Sequence, residues 1–303
     1  MKIGINLPQF GANASPQAIK QVAQEAERLG CEGLWVQERL LRPTQPRQAY
    51  AGFMMPWPEA YRIVFDPIET LTYAAAATQR IKLGTSVIDA LFHTPVVLGR
   101  RLASLDQFSG GRLVIGLGQG WSEDEFEVAG VSPTPKGARF EEFIRALLAV
   151  WGSDPVRFDG RFYRIPESEI GPKPVQQPHP PLLLGGFAPA AIARAGRLGT
   201  GFNPVLVSFD ILSQQVQAFR SAAQAAGHAA ERLPVIVRGN LFVGPRAPEE
   251  GRSPLSGAIE QAQEDVRRLA GMGVDQLFVD FYLGPPVSPD QQLRWIEALL
   301  SAA

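Results

Sequence analysis

The chain has 303 residues, 45% of them hydrophobic and 19% charged, and a formal net charge of −1. That is the size of one large α/β barrel or of two average domains, and no basic field is present to collect phosphate backbones, so a nucleic-acid protein is disfavoured. A single cysteine, Cys31, excludes an internal disulfide. It also excludes a cysteine-built metal site, and the three histidines, His93, His179 and His228, form no HxH or HxxH pair. No metal is expected, and redox work would need a borrowed organic cofactor. No signal segment is visible and no apolar run approaches the roughly 18 residues of a membrane span. The expectation is a cytoplasmic protein with no membrane partner.

In chain order, apolar runs alternate with helical patterns. Strands are expected at Lys2–Leu7, Gly33–Val36, Ile81–Val87, Leu113–Leu117, Leu182–Leu184, Gly201–Asn203, Leu233–Val243 and Gln276–Asp280. Helices are expected at Pro16–Leu29, Pro67–Thr78, Pro95–Phe108, Gly137–Trp151, Pro189–Leu198, Asp210–Ala226, Gly257–Met272 and Asp290–Ala302. In the first helix Ile19, Val22, Ala23, Ala26 and Leu29 recur at helical spacing, with Pro16 in the first turn and Gly30 as a stop. Eight strands, each followed by a helix, are the count of a (β/α)8 barrel, one domain over 1–303. Two connections are long. Gln37–Asp66 carries Tyr50, Phe53, Met54, Met55, Trp57 and Tyr61 and reads as a lid or binding loop. Gly152–Pro181 carries a hairpin signal around Asp159-Gly160. A third segment, Pro245–Pro254, reads as a flexible surface loop.

Barrel enzymes keep their sites at the carboxyl ends of the strands. Glu38-Arg39 follows the second strand, either contacting a ring or substrate or forming a salt-bridged rim pair. His93 follows the third, either functional or capping the next helix. Gly116, Gly118 and Gly120 alternate after the fourth. They either leave room for a flat ring or serve tight packing at a bulge. Gly185-Gly186-Phe187 precedes Pro189 at a helix start, either an ordinary turn or a cradle for one phosphate monoester.

These strand ends occur in IKLGTSVIDALFHTP (Ile81–Pro95), VIGLGQGWSEDEFEVAGV (Val114–Val131), GARFEEFIRALLAVW, FDGRFYRI, GPKPVQQPHPPLLLGG and RAGRLGTGFNP. Together they resemble the bacterial luciferase-like superfamily of flavin- and deazaflavin-dependent oxidoreductases, and look most like its coenzyme F420-dependent subgroup. The resemblance implies a (β/α)8 barrel and a homodimer packed through the second and third helices, around Ala74–Ala77, Val97, Leu98, Leu102 and Leu105. It implies a non-proline cis peptide at Ser86-Val87 behind the ring, Gly118-Gln119-Gly120 beside it, and Gly185-Gly186-Phe187 at the phosphate. Two departures stand out. Arg39 replaces a histidine common in relatives, and Trp121 stands where sugar-phosphate dehydrogenases have glutamate. Lysine is absent after Lys173. A sugar phosphate is therefore disfavoured, and Trp121 and Arg39 are assigned to the substrate pocket. The expected function is F420-dependent hydride transfer to or from a small organic substrate, with Glu38 and then His93 as candidate bases. The alternatives are an FMN-dependent monooxygenase using O2 and a non-catalytic flavin-binding protein.

Overall fold

Each barrel unit starts with a short apolar strand, and several helices begin with the same device, a polar cap followed by proline. β1 (Lys2–Asn6) leads to α1 (Pro16–Leu29), where the Ser15 side chain accepts the Ala18 N–H. β2 (Gly33–Val36) precedes α2 (Pro67–Ala77), capped by Asp66. β3 (Lys82–Thr85) and β4 (Ile88–Asp89) precede α3 (Pro95–Ser109), capped by Thr94. β5 (Leu113–Gly118) is followed by α4 (Glu123–Val128) and α5 (Lys136–Trp151). A cap oxygen satisfies an orphan N–H, and proline at the first helical position sacrifices no helix bond. The computed structural model describes residues 1–48 and 56–303. Tyr50, Phe53, Met54 and Met55 of the expected lid lie outside the described residues.

The chain continues with the hairpin β6 (Val156–Asp159) and β7 (Arg164–Ser168), then β8 (Leu182–Leu184), α6 (Pro189–Arg197), β9 (Gly201–Phe202) and α7 (Phe209–Ala225). It ends with β10 (Ile236–Asn240), β11 (Phe242–Val243), β12 (Ser256–Gly257), α8 (Ile259–Ala270), β13 (Gln276–Asp280) and α9 (Pro289–Leu300). The parallel sheet runs β10-β13-β1-β2-β3-β5-β8-β9, with β4 also on β5. Parallel bridges Phe202↔Val235 and Val205↔Arg238 link its two ends. The fold is thus the expected eight-stranded parallel barrel wrapped by helices, with insertions after β2 and between α5 and β8.

Trp35, Val114, Leu183, Ile236 and Phe278 form a buried cluster within the barrel. The Trp35 and Phe278 rings stack at 4.6 Å. Glycines make this possible. A Cβ on Gly84 would land inside the Trp35 ring, and one on Gly4 would lie 3.0 Å from its Nε1. The larger outer core joins the opposite strand faces, such as Ile3, Ile5, Leu34 and Leu83, to the helices. Each such side chain contributes about 1.5–3 kcal/mol when fully buried.

Some elements differ from expectation. The third strand is interrupted: β3 stops at Thr85, the Ser86-Val87 peptide is cis, and pairing resumes at Ile88↔Leu117. The seventh ends at Asn240, and β11 leaves the barrel to pair with β12. The hairpin turn is Gly160–Tyr163, not Asp159-Gly160. Its Gly160 N–H donates to the Tyr163 carbonyl at 2.9 Å. The Glu142 carboxylate accepts the N–H groups of Arg161, Phe162 and Tyr163 at 2.6–3.0 Å, which fixes the longer turn. The Pro245–Pro254 segment is tied down, since Arg252 spans both Asp265 carboxylate oxygens at 2.7 and 2.8 Å. The helix α4 is an addition to the expected set; it is only six residues long and its apolar pattern is too short to register.

Candidate active site

Glu38 lies just beyond β2 and is buried. Its Oε1 is 2.8 Å from His93 Nε2, and its Oε2 accepts the Asp89 N–H at 2.8 Å. Its own N–H donates to the Val87 carbonyl at 3.1 Å. Thus the break in strand three supplies the groups that fix the carboxylate after strand two. His93 does not cap α3; Thr94 does.

Arg39 is not a rim partner of Glu38. Its side chain is only 8% exposed and reaches Asp89 Oδ2 at 2.6 Å and Glu125 Oε2 at 2.7 Å. The other Glu125 oxygen accepts the Leu40 N–H at 2.7 Å. Glu125 therefore clamps the start of the long insertion to α4. Burial pushes the Asp89 carboxyl up to about 7, with Arg39 opposing and Glu38 and Glu125 adding to the rise. Burial also raises Glu125, again against Arg39. Three carboxylates crowd around one guanidinium and one imidazole, which favours retaining a proton in the cluster. Glu125 escaped the sequence reading, although Ser122-x-x-Glu125 is a helix-start signature: the Ser122 hydroxyl accepts the Glu125 N–H.

Ser86 and Val87 link β3 to β4. The Ser86 hydroxyl donates to Asn203 Oδ1 at 2.7 Å, and Asn203 Nδ2 donates to the Ile236 carbonyl at 2.7 Å. Strand ends far apart in the chain are thereby cross-linked. The alternating glycines accommodate this break. A Cβ on Gly116 would collide with the Thr85 carbonyl, and one on Gly118 would lie 2.5 Å from Val87 Cγ2. At Gly120, with φ +74°, it would meet Phe92 and Phe126 at 2.9 and 3.0 Å. Their space is filled by protein, so of the two readings, tight packing at a bulge describes the glycines; the expected room for a ring does not. Gln119 lies between them, and its Oε1 is buried without a partner among the described residues.

Gly185, Gly186 and Phe187 link β8 to α6. The Gly185 N–H is used by the Leu117 carbonyl at 3.0 Å. Those of Gly186, Phe187 and Ala188 meet no protein acceptor among the described residues and stand at the start of α6. Such a turn suits an anionic group. The donors of this turn and the orphaned Gln119 acceptor fit a phosphate-bearing cofactor with a polar ring edge.

On the opposite side, Asp280 accepts from Gln37 Nε2 at 2.9 Å and pairs with Arg238 at 2.9 Å. Burial raises its carboxyl, with Arg238 opposing. The Trp121 ring packs against Trp57, tilted by 32° with centroids 5.0 Å apart, and lies under the Arg39 guanidinium at 5.2 Å. Trp57 continues into a layer with Tyr61, Phe10 and Tyr282. The two residues assigned to the substrate pocket thus stand together. Among the described residues no helix is long and apolar enough to cross a membrane.

A parallel eight-stranded barrel whose functional side chains gather at the carboxyl ends of its strands defines a class, the (β/α)8 barrel enzymes. Residues 1–272 match the family model described as luciferase-like monooxygenase, and the chain belongs to that family of oxidoreductases. It is 34% identical over 201 residues to an FMNH2-dependent dimethylsulfone monooxygenase from Pseudomonas putida, covering 65% of this chain and 54% of that protein. It is 27% identical to an F420-dependent glucose-6-phosphate dehydrogenase from Amycolatopsis mediterranei, covering 100% of this chain and 90% of that one. In fold it matches an F420-dependent secondary alcohol dehydrogenase solved with an F420-acetone adduct, with a TM-score of 0.83 at 17% identity, covering 99% and 98% of the two chains.

Proposed function

We propose that this protein transfers a hydride between coenzyme F420 and a small neutral organic substrate. The observation that carries the proposal is the conjunction, on one barrel rim, of a free N–H turn at Gly186–Ala188 with the buried Glu38–His93 pair. The full-length likeness to an F420-dependent dehydrogenase supports the choice of cofactor. Gly186, Phe187 and Ala188 would hold the phosphate, and Gln119 the ring edge. A bound deazaflavin supplies a two-electron hydride acceptor or donor. The remaining work falls to the chain. Interconverting an alcohol and a carbonyl also moves one proton, and Glu38 Oε1 and His93 Nε2, 2.8 Å apart, hold that proton between them. The Asp89 N–H fixes the second Glu38 oxygen, so the pair keeps one orientation. Trp121 and Trp57 exclude water from the rim.

A second reading, an FMN-dependent monooxygenase using reduced flavin and O2, is favoured by the higher local identity to the dimethylsulfone enzyme. Titrating the purified apoprotein with F420 and with FMN separates the two. Preference for FMN overturns the first reading, and negligible affinity for both leaves a protein without cofactor chemistry. We further propose a homodimer. Ala74, Ala75, Leu98, Leu102 and Leu105 are buried within the protomer, so the contact would use exposed Tyr73, Val97 and Phe108 on α2 and α3.

A further inference from the structure

The ladder between β1 and β2 does not end in the regular way. The Leu7 N–H donates to the Trp35 carbonyl at 2.8 Å, and in a regular parallel pair the Leu7 carbonyl would next accept the Gln37 N–H. That carbonyl is taken instead by the Gln9 N–H at 2.7 Å. The Gln9 side chain supplies the substitute: its Oε1 accepts the Gln37 N–H at 2.6 Å. The chain therefore leaves β2 and enters Glu38 on a bond made by a side chain.

The other end of the same amide holds the far end of the insertion. Gln9 Nε2 donates to the Phe65 carbonyl at 2.7 Å, and the Phe65 N–H donates back to the Gln9 carbonyl at 3.0 Å. Phe10 forms an antiparallel bridge with Val64, and the Gly11 N–H donates to the Ile63 carbonyl at 2.9 Å. Gln9 is fully buried, and its amide has a single orientation, because its oxygen meets an N–H and its nitrogen a carbonyl. Residues 37 and 65, near the two ends of the long connection, thus meet on one side chain.

Two layers join here. Phe10, the next residue, packs on Tyr61 and Tyr282 with ring centroids 5.4 and 5.2 Å away, in the aromatic layer that Trp57 and Trp121 continue. Gln37 turns its own Nε2 to Asp280, and Glu38 follows with its carboxylate on the Asp89 N–H and His93. A shift of the insertion therefore reaches Glu38 through the Gln9 amide.

We propose that Gln9 is a positioning residue. Through the Gln37 N–H it sets the Glu38–His93 contact, and it ties that contact to the placement of the insertion's aromatic layer. Gln9 itself touches no reacting atom. The catalytic meaning of the contact rests on the hydride-transfer reading, whereas the coupling is a property of the chain alone.

The test is histidine NMR and amide hydrogen exchange on the full chain without added cofactor, the His93 ring signals being assigned by their loss in His93→Gln. Gln9→Met keeps the length of the side chain and removes both bonds. The His93 ring shifts move, while those of His179 and His228, which contact Trp151 and Arg197, stay as in the parent. Exchange at the Gly11 and Phe65 amides quickens about tenfold or more, the loss of one net hydrogen bond. If Gln9→Met fails to fold, Gln9→Asn takes its place with the same expected pattern, since it is one methylene too short to reach both partners. Unchanged His93 shifts with faster exchange would leave Gln9 a staple of the insertion alone and overturn the inference. Movement of all three histidines together also overturns it, because the effect is then not channelled to Glu38. Titration of the parent with F420 is read separately: its failure with the His93 pattern intact sinks the hydride-transfer reading alone, and the reverse sinks the coupling alone.

Discussion

Asp89→Asn isolates the electrostatics of the buried cluster. Asp89 is fully enclosed, and burial raises its carboxyl from 3.8 to about 7 despite the Arg39 guanidinium 2.6 Å away. Unfolded, the same carboxyl titrates near 4. Between about pH 4 and pH 7 the folded state therefore holds a proton that the unfolded state has released. Stability is then greatest below the unfolded value and falls as pH rises through the folded one. Each pH unit between the two values costs about 1.36 kcal/mol, so from about pH 5 to pH 8 this one group removes roughly 3 kcal/mol. Glu125, raised for the same reason, adds a decline of the same sign. Asn cannot ionise, and its Oδ1 still accepts the Gly120 N–H that Asp89 takes at 3.1 Å. Urea unfolding at several pH values should show the parent losing stability across this window and the variant losing about 3 kcal/mol less. Parallel profiles for the two proteins would refute a protonated Asp89.

Four further outcomes are expected. Gly84→Ala should destabilise the barrel by about 1–3 kcal/mol in urea unfolding, because its Cβ falls inside the buried Trp35 ring. Gly185→Asp should weaken cofactor binding about a thousandfold, since like charges about 4 Å apart at an effective dielectric near 20 repel by roughly 4 kcal/mol. Gly185→Ala controls for the 3.0 Å approach of a Cβ to Val87 Cγ1, and equal losses in both would deny the turn a phosphate. Arg39→Met should destabilise by about 3–5 kcal/mol near neutral pH, because two buried carboxylates lose their cation, and the loss should shrink in acid as they protonate. Light scattering at micromolar concentration should give about twice the 32.9 kDa chain mass, and a monomer mass would end the dimer proposal.

The barrel was legible because its strands are buried on both faces and its helices carry explicit start signals. Gly33–Val36, Leu182–Leu184 and Gln276–Asp280 are observed with the expected limits. Ser15-Pro16, Asp66-Pro67 and Thr94-Pro95 mark helix starts within the local chain, and so they can be read there. The site was legible only as a set of positions. Glu38 and His93 were both named, but their contact joins residues 55 apart, which no local pattern encodes. Arg39 next to Glu38 invited a neighbour pair, whereas successive side chains point apart and Arg39 finds acids 50 and 86 residues away. The alternating glycines had two physical readings, and only the position of strand three against strand five decides between them.

That position explains why the rim is assembled where it is. The Ser86 N–H still donates to the Val36 carbonyl at 2.7 Å, so the ladder to β2 holds as far as Ser86 and changes at Val87. There the Val87 carbonyl accepts the Glu38 N–H, and the Ser86 hydroxyl donates to Asn203. Pairing resumes at Ile88, which sends the Asp89 N–H to Glu38 and its carboxylate to Gly120 and Arg39. One local break thus orients the groups after β2 and β5, together with Asn203, which follows β9. Side chains at Gly116 or Gly118 would push the break away from β5. The glycine pattern and the acid–histidine pair are therefore parts of one arrangement. Gly118→Ala, remote in sequence from Glu38, should disturb the Glu38–His93 contact through Val87. Histidine NMR of parent and variant reads this directly: unchanged His93 ring chemical shifts in Gly118→Ala would separate the two features.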